Sequence, residues 1–342
     1  MTTINEQLPP EVQLLQTVLG CYTAQAVYVA AKLGIADLLA PSPKPVAELA
    51  AASETDERSL YRVLRTLAMT GIFRETEPKV FENTSVSETL RSDIPNSLRD
   101  TAIWVGEEPH WRVYGEMLYS VRTGKAAWKR VHGQDVFPYL FETNRELGDI
   151  FNRAMTSYSS PMNPAILEAY DFSNVDVLAD VGGGHGHLLA AVLKEHPQIQ
   201  GVLFDLPYVL KGAPALLEKE GIADRITLLH GDFFESVPVT ADTYMLKLII
   251  HDWYDEQNTM ILKNIRSSMP DDSKILIIDA VIPEGNEPNF GKIVDLEMLV
   301  SVNGIERTEG EFRALLAASG LRLNRIIPTK SAESIVEAVK AD

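Results

Sequence analysis

The spacing of apolar residues changes along the chain, and each change marks a different kind of element. From Glu11 to about Leu39 apolar positions recur at helical intervals but on more than one face: Val12, Leu14, Leu15, Val18 and Leu19, then Ala26, Val27, Val29 and Ala30. A helix apolar on several sides needs more cover than one small domain provides, which predicts contact with a second copy of the chain. Between Pro45 and Thr84 the pattern reads helix, turn, helix and short hairpin. The helices are KPVAELAAAS and ERSLYRVLRTLAMTG, the second capped by Thr55 or Asp56 and ended by Gly71. IFRET and KVFENT, joined across Pro78, complete the order of a winged helix. Residues 85–145 read as further helices carrying Trp104, Trp111, Tyr114, Trp128 and Phe137, and RELGDIFNRAMTSYSS follows as another. In that helix Phe151, Met155 and Ser159 share one face, a spacing that suits a pocket lining as well as ordinary packing.

From residue 175 onward, continuous apolar segments take over: VDVLADV, VLFDL, ITLLHGD, YMLKLII and KILIIDAVI, with helical patterns between them. Strands without alternation, separated by helices, predict a parallel sheet covered on both faces. RLNRIIPT and SIVEAVKA can close it as an antiparallel pair. The fold class is therefore α/β, a Rossmann-like domain joined to a mainly α N-terminal domain. The expected division is 1–100, a helical linker over 101–170, and 171–342.

Composition and charge narrow the partners. At 342 residues the chain can bury two cores. A net charge of −17 and a pI near 4.9 disfavour a polyanionic partner, because phosphate backbones need Lys and Arg to replace counterions. Arg58, Arg62 and Arg65 do share a helical face, yet residues 1–100 hold 9 Lys+Arg against 13 Asp+Glu. The stripe reads as a solvated or salt-bridged face rather than a nucleic-acid surface. The single cysteine, Cys21, allows no internal disulfide and no thiolate cluster, and no H-x-x-x-H occurs, so no metal is expected. MTTINEQLPPEV lacks the basic start and apolar core of a signal peptide, and no apolar run reaches the ~18 residues of a membrane span. A cytoplasmic protein with a small-molecule partner, no membrane and no nucleic acid is the simplest expectation.

Candidate chemistry gathers around ADVGGGHGH, residues 179–187. An apolar strand runs into glycines at alternate positions, Gly182, Gly184 and Gly186, and a helical pattern follows at once. Strand, glycine turn and helix in that order place free backbone N–H groups beside a bound ligand. A dinucleotide fingerprint would require glycine where His187 stands. G-x-G-x-G preceded by Asp180 is similar to the first motif of class I methyltransferases, which bind S-adenosylmethionine. Ligands of such sheets sit beyond the carboxyl ends of the strands. Asp205, 19 residues after Gly186, ends the second strand and can accept both hydroxyls of a ribose. Asp232 and Phe233 end the third and suit the amine and face of an adenine. Lys247 and His251 fall on the fourth, on the same side if the strand stays extended, and Asp279 ends the fifth.

Over nearly its whole length the chain resembles the small-molecule O-methyltransferases of plants and of bacterial natural-product pathways. The resemblance rests on DVGGGHG (180–186), FDLP (204–207), GDFF (231–234), LKLIIHDW (246–253) and ERTEGEF (306–312). It implies a winged-helix dimerisation domain on an S-adenosylmethionine-binding domain, acting as a homodimer. It also implies His251 as catalytic base between carboxylates at Asp279 and Glu306. The cofactor would be held by Ser159, Asp180, Gly182, Gly184, Asp205, Leu206, Asp232, Phe233 and Lys247. Phe151, Met155, Asp252, Met298, Ser301 and Asn303 would line the acceptor pocket. Two positions depart from the family's usual pattern: Asp279 stands where glutamate is common, and Asn303–Gly304 where two glycines are. Asparagine tolerates a left-handed backbone, so the second turn can survive.

The expected reaction is methylation of a phenolic or enolic hydroxyl on a small aromatic or polyketide-like molecule. A phenol of pKa ~10 is about one part in a thousand ionised at neutral pH, a cost of roughly 4 kcal/mol. An imidazole near its ordinary value of ~6.5 would remove that cost as the methyl group moves. Other readings are a relative that binds S-adenosylmethionine without methylating, as a hydroxylase does, and a winged-helix regulator that senses it. A nicotinamide dehydrogenase is disfavoured by His187.

Overall fold

In the computed structural model, which describes residues 8–341, the chain forms two compact units. The first takes the residues up to Glu116 together with Val131–Ser159. The second takes Met117–Arg130 and the residues from Ser160 onward. The stretch 101–170 is thus shared between them.

In the first unit the long apolar pattern is divided between two helices, Pro10–Lys32 and Ile35–Leu39, because Gly34 turns left-handed at φ +65°. Leu14, Leu15, Val18 and Tyr22 of the first helix are exposed. Among the described residues, Pro10–Lys32 is the one helix long and apolar enough, by length and composition alone, to cross a membrane. No unbroken apolar run produces this, since Gln13, Gln16, Thr17 and Gln25 interrupt it; the average over the helix does. Helices Val46–Ala52 and Glu57–Met69 come next, and the cap of the second is Asp56, which accepts from the Ser59 amide at 2.8 Å. Strands β1 (Lys44–Pro45), β2 (Phe73–Glu77) and β3 (Val80–Asn83) form an antiparallel sheet in the order β1-β3-β2. Leu60, Leu64 and Leu67 of the second helix are buried, a spacing of one helical face.

The second unit is built on a seven-stranded sheet. Its strands are β4 (Val177–Val181), β5 (Gln200–Asp205), β6 (Ile226–His230), β7 (Thr243–Lys247), β8 (Lys274–Asp279), β9 (Leu321–Pro328) and β10 (Ser334–Lys340), in the order β6-β5-β4-β7-β8-β10-β9. β4 to β8 run parallel, and β10 joins β8 and β9 antiparallel. Neighbouring residues of the central strands face opposite sides, yet Leu178 and Ala179, Met245 and Leu246, and Ile275 to Ile278 are all buried. Both faces are covered, which is why these strands read as unbroken apolar runs.

Parallel register brings the polar strand ends to one edge, with Asp180 opposite Leu203 and Met245, and Lys247 opposite Ile278. Two later helices begin near that edge, where Asp255 pairs with Arg307. Helix Asp255–Ser268 buries Asn258, Ile261, Leu262 and Ile265. Helix Glu309–Ala318 opens with a reciprocal cap: Thr308 Oγ1 accepts from the Glu311 amide, and the Glu311 carboxylate accepts from the Thr308 amide at 2.8 Å. That cap fixes the chain where ERTEGEF enters the helix. Thr308→Ala is expected to cost about 1 kcal/mol and lower the thermal unfolding midpoint; an unchanged midpoint would deny the cap this role.

Candidate active site

The loop after β4 explains its own composition. Gly182, Gly184 and Gly186 adopt φ of +73°, +61° and +85°, so the alternate spacing records a backbone that turns left-handed at every second residue. Between them Gly183 passes so close to Asp180 that a Cβ there would lie 2.3 Å from its carboxyl carbon. A Cβ on Gly182 would lie 2.7 Å from Ile249 Cδ1 and 3.5 Å from Phe233 Cε1, which puts the ring of Phe233 beside the loop. The Asp205 carboxylate braces the loop from β5, accepting from the Gly184 amide at 2.8 Å and the Leu206 amide at 2.7 Å. Burial outweighs these two bonds and raises its pKa to about 6.

Other strand ends stand on the same edge. Asp232 accepts from the Phe234 amide at 2.8 Å, and Phe233 packs edge-on against Phe234 and Trp253. Lys247 Nζ donates to Asn163 Oδ1 at 2.7 Å. Burial lowers its pKa to about 8 against the pull of Asp180 and Glu333, while burial raises that of Asp180 to about 7. Around this strand-to-helix turn stand the carboxylates of Asp180, Asp205 and Asp232 and the ring of Phe233, and the turn itself packs closely on Ile249, Asp180 and Leu203. This donor set fits a nucleoside-bearing cofactor with ribose hydroxyls and an adenine face.

His251 does not lie on the fourth strand. β7 ends at Lys247, Leu248 turns left-handed at φ +57°, and His251 sits on the 3-10 turn Ile250–Asp252. A bulky residue at positive φ is strained, so the extended geometry that would align His251 with Lys247 is lost at Leu248. Nδ1 of His251 pairs with Glu306 Oε1 at 2.7 Å, and Nε2 lies 3.6 Å from Asp252 Oδ1. The Asp279 carboxyl is fully buried and neither oxygen has a hydrogen-bond partner. It acts on the imidazole through charge alone.

Electrostatics move this imidazole away from its ordinary value. Burial alone lowers the pKa of His251, but Asp252, Asp279 and Glu306 together override it and raise it to about 10. Burial in turn lifts Asp279 to about 7 and Asp252 to about 6. The expectation of an imidazole near 6.5 is thereby corrected, because three carboxylates share its interior. Among the described residues, no group of His, Cys, Asp and Glu is arranged to hold a metal.

Around the imidazole, Gly304 lies flush on the turn that carries His251: a Cβ there would stand 2.0 Å from the His251 carbonyl oxygen. Asn303 is left-handed at φ +60° as the C-cap of the turn Met298–Val302, and its Oδ1 accepts from the Ala126 amide at 2.8 Å. Met298 and Ser301 are buried in the π-helical turn Met298–Val302, and the Ser301 hydroxyl has no partner. The second unit thus brings together Asp180, Gly182, Gly184, Asp205, Leu206, Asp232, Phe233, Lys247, His251, Asp252, Asp279, Met298, Ser301, Asn303 and Glu306. Phe151, Met155 and Ser159 belong to helix Arg145–Ser159 of the first unit, where Phe151 packs on Trp104 with ring centroids 5.0 Å apart.

Sequence reasoning did not single out Asn163, Asn258, Arg307 or Glu333. Asn258 was detectable as a polar residue at an apolar-face position of its helix. Arg307 stood unremarked inside ERTEGEF.

A parallel sheet closed by an antiparallel pair, with G-x-G-x-G after its first strand and an acidic second strand end, defines a class I methyltransferase fold. A family model for the O-methyltransferase domain matches residues 114–322, and one for the O-methyltransferase dimerisation domain matches residues 15–93. The chain belongs to the S-adenosylmethionine-dependent small-molecule O-methyltransferases. It is 46% identical to a phenazine O-methyltransferase of Lysobacter antibioticus, over 95% of each chain. It superposes on the crystal structure of LaPhzM with a TM-score of 0.92 at 45% identity, covering 97% of this chain and 100% of that one. It also superposes on CalO1, a methyltransferase in calicheamicin biosynthesis in its S-adenosylhomocysteine-bound form, with a TM-score of 0.85 at 35% identity and full coverage of both. The cofactor is S-adenosylmethionine. Gly182→Ala combines a forbidden φ with a clash at Ile249 and is expected to weaken S-adenosylhomocysteine binding about tenfold or more by calorimetry. An unchanged Kd would move the cofactor away from this loop.

Proposed function

We propose that the enzyme methylates a phenolic or enolic hydroxyl of a small aromatic or polyketide-like molecule, with His251 as general base. The observation that carries this reading is the bond between Nδ1 and Glu306. With that nitrogen engaged, Nε2 is the one left to accept a proton, and Glu306 stabilises the imidazolium that results. Bound S-adenosylmethionine supplies an electrophilic methyl group on a cationic sulfur. As the acceptor oxygen takes up the methyl group, its proton passes to Nε2. An imidazole raised to about 10 matches a phenol of pKa ~10, so the proton can shift between them at little cost.

Asp205 and Leu206 are assigned to the ribose side, Asp232 and Phe233 to adenine, and Asp180, Lys247 and Ser159 to the remainder of the cofactor. Asp252, Met298, Ser301 and Asn303, with Phe151 and Met155, are assigned to the acceptor. The carboxylates around His251 disfavour an anionic group beside the reacting oxygen, which supports a neutral acceptor there. The exposed Leu15, Val18, Leu19 and Tyr22 of helix Pro10–Lys32, within the dimerisation-domain match over residues 15–93, support a homodimer formed through an N-terminal winged-helix domain.

His251→Ala is expected to lose about 100-fold or more in kcat on a phenolic acceptor, with S-adenosylhomocysteine affinity retained. Equal turnover by that variant would remove the base. The pH dependence follows from the raised pKa. Below it the ring is imidazolium and cannot accept a proton, so kcat should rise from neutral into alkaline pH. Asp279, itself raised to about 7, becomes fully ionised as the pH passes above neutral and there helps to hold the proton on His251, so Asp279→Asn should move the midpoint to lower pH. A midpoint that stays or rises would exclude this electrostatic role.

A further inference from the structure

Two residues outside the acid–base set grip the backbone on both sides of His251. The Asn258 side-chain amide donates to the carbonyl oxygens of Ile250 and Trp253, each at 2.7 Å. Arg307 donates to the same two oxygens, Nη1 to Ile250 at 3.1 Å and Nη2 to Trp253 at 3.0 Å. A carbonyl oxygen has two lone pairs, so each is filled by one amide and one guanidinium hydrogen. Between them, the His251 carbonyl accepts from the Ile305 amide at 2.9 Å.

Asn258 is fully buried on a helix face otherwise made of Ile261, Leu262 and Ile265, and its Oδ1 has no partner. An amide with an unmet acceptor is a costly occupant for such a position, and an apolar residue would pack there without that cost. What the amide provides is two donors aimed at a turn that follows the strained Leu248.

We infer that Asn258 is a positioning residue, which together with Arg307 fixes the Ile250 and Trp253 carbonyls and so sets the direction of the His251 ring. This rests on His251 being the base. Asn258→Ala leaves Arg307 on both carbonyls, so the turn keeps a donor at each. Small displacements of a reacting group reduce turnover steeply, and kcat on a phenolic acceptor is expected to fall about tenfold or more. Acceptor KM, S-adenosylhomocysteine Kd and unfolding midpoint should change far less, and the midpoint of the pH–rate curve should shift as the Nδ1 bond to Glu306 loosens.

Asn258→Asp keeps the size but turns a carboxylate toward the two carbonyls, and should lose more than the alanine variant. Asn258→Ser keeps one donor and should recover part of the rate. An alanine variant within about twofold of wild-type kcat, with an unmoved pH midpoint, overturns the inference. His251→Ala measured alongside separates the two failures. If it is inactive while Asn258→Ala is normal, only the clamp is wrong. If it retains activity, the base is wrong and the clamp has nothing to position.

Discussion

The bond between His251 Nδ1 and Glu306 Oε1 holds together two segments that are distant in sequence, and the rest of the acid–base site is arranged around it. Ionisable groups taken out of water need partners, and here the partners are one another. Glu306 can reach the ring because the chain beside it is fixed at several points. Thr308 and Glu311 cap the following helix, Gly304 lets the backbone lie against the His251 carbonyl, and the Arg307 guanidinium is anchored to Asp255. On the other side the ring rides on a short turn after a residue in a strained conformation. Asp279 adds a buried carboxyl with no hydrogen bond of its own, a cost a purely structural core would avoid.

The two halves of the site use different chemistry. Toward the cofactor the sheet edge offers mainly backbone: a loop that turns left-handed at alternate residues and is braced by a carboxylate from the neighbouring strand. The loop packs so closely on Ile249, Asp180 and Leu203 that a methyl group on Gly182 or Gly183 would collide. Around His251 the same edge offers side chains whose protonation states depend on each other. Membership of the O-methyltransferase family accounts for both halves on one scaffold.

Much of this is legible in the chain itself. The strands announce themselves as unbroken apolar runs because both faces of the sheet are covered, and G-x-G-x-G is the imprint of three left-handed residues. Asp205 can be found by counting from the glycines. His251 can be named, but its exact setting cannot, since the break after Lys247, where Leu248 turns left-handed, is a tertiary effect that local preference opposes. Nor can the pKa of its ring be read in advance: Asp252, Asp279 and Glu306 are far apart in sequence or on different elements, and their sum appears only on folding. Asn258 shows the remaining kind of loss. A polar residue on an apolar face looks like a defect until the two carbonyls opposite it are seen.

The central claim is that three carboxylates hold a proton on His251 and fix it at Nδ1 against Glu306. Nitrogen NMR of histidine-labelled enzyme across a pH titration reads this directly. His251 is expected to remain an imidazolium through neutral pH and to give up its proton only in the alkaline range. A ring that titrates at or below the ordinary value of ~6.5, with its neutral form carrying hydrogen on Nε2, would contradict it.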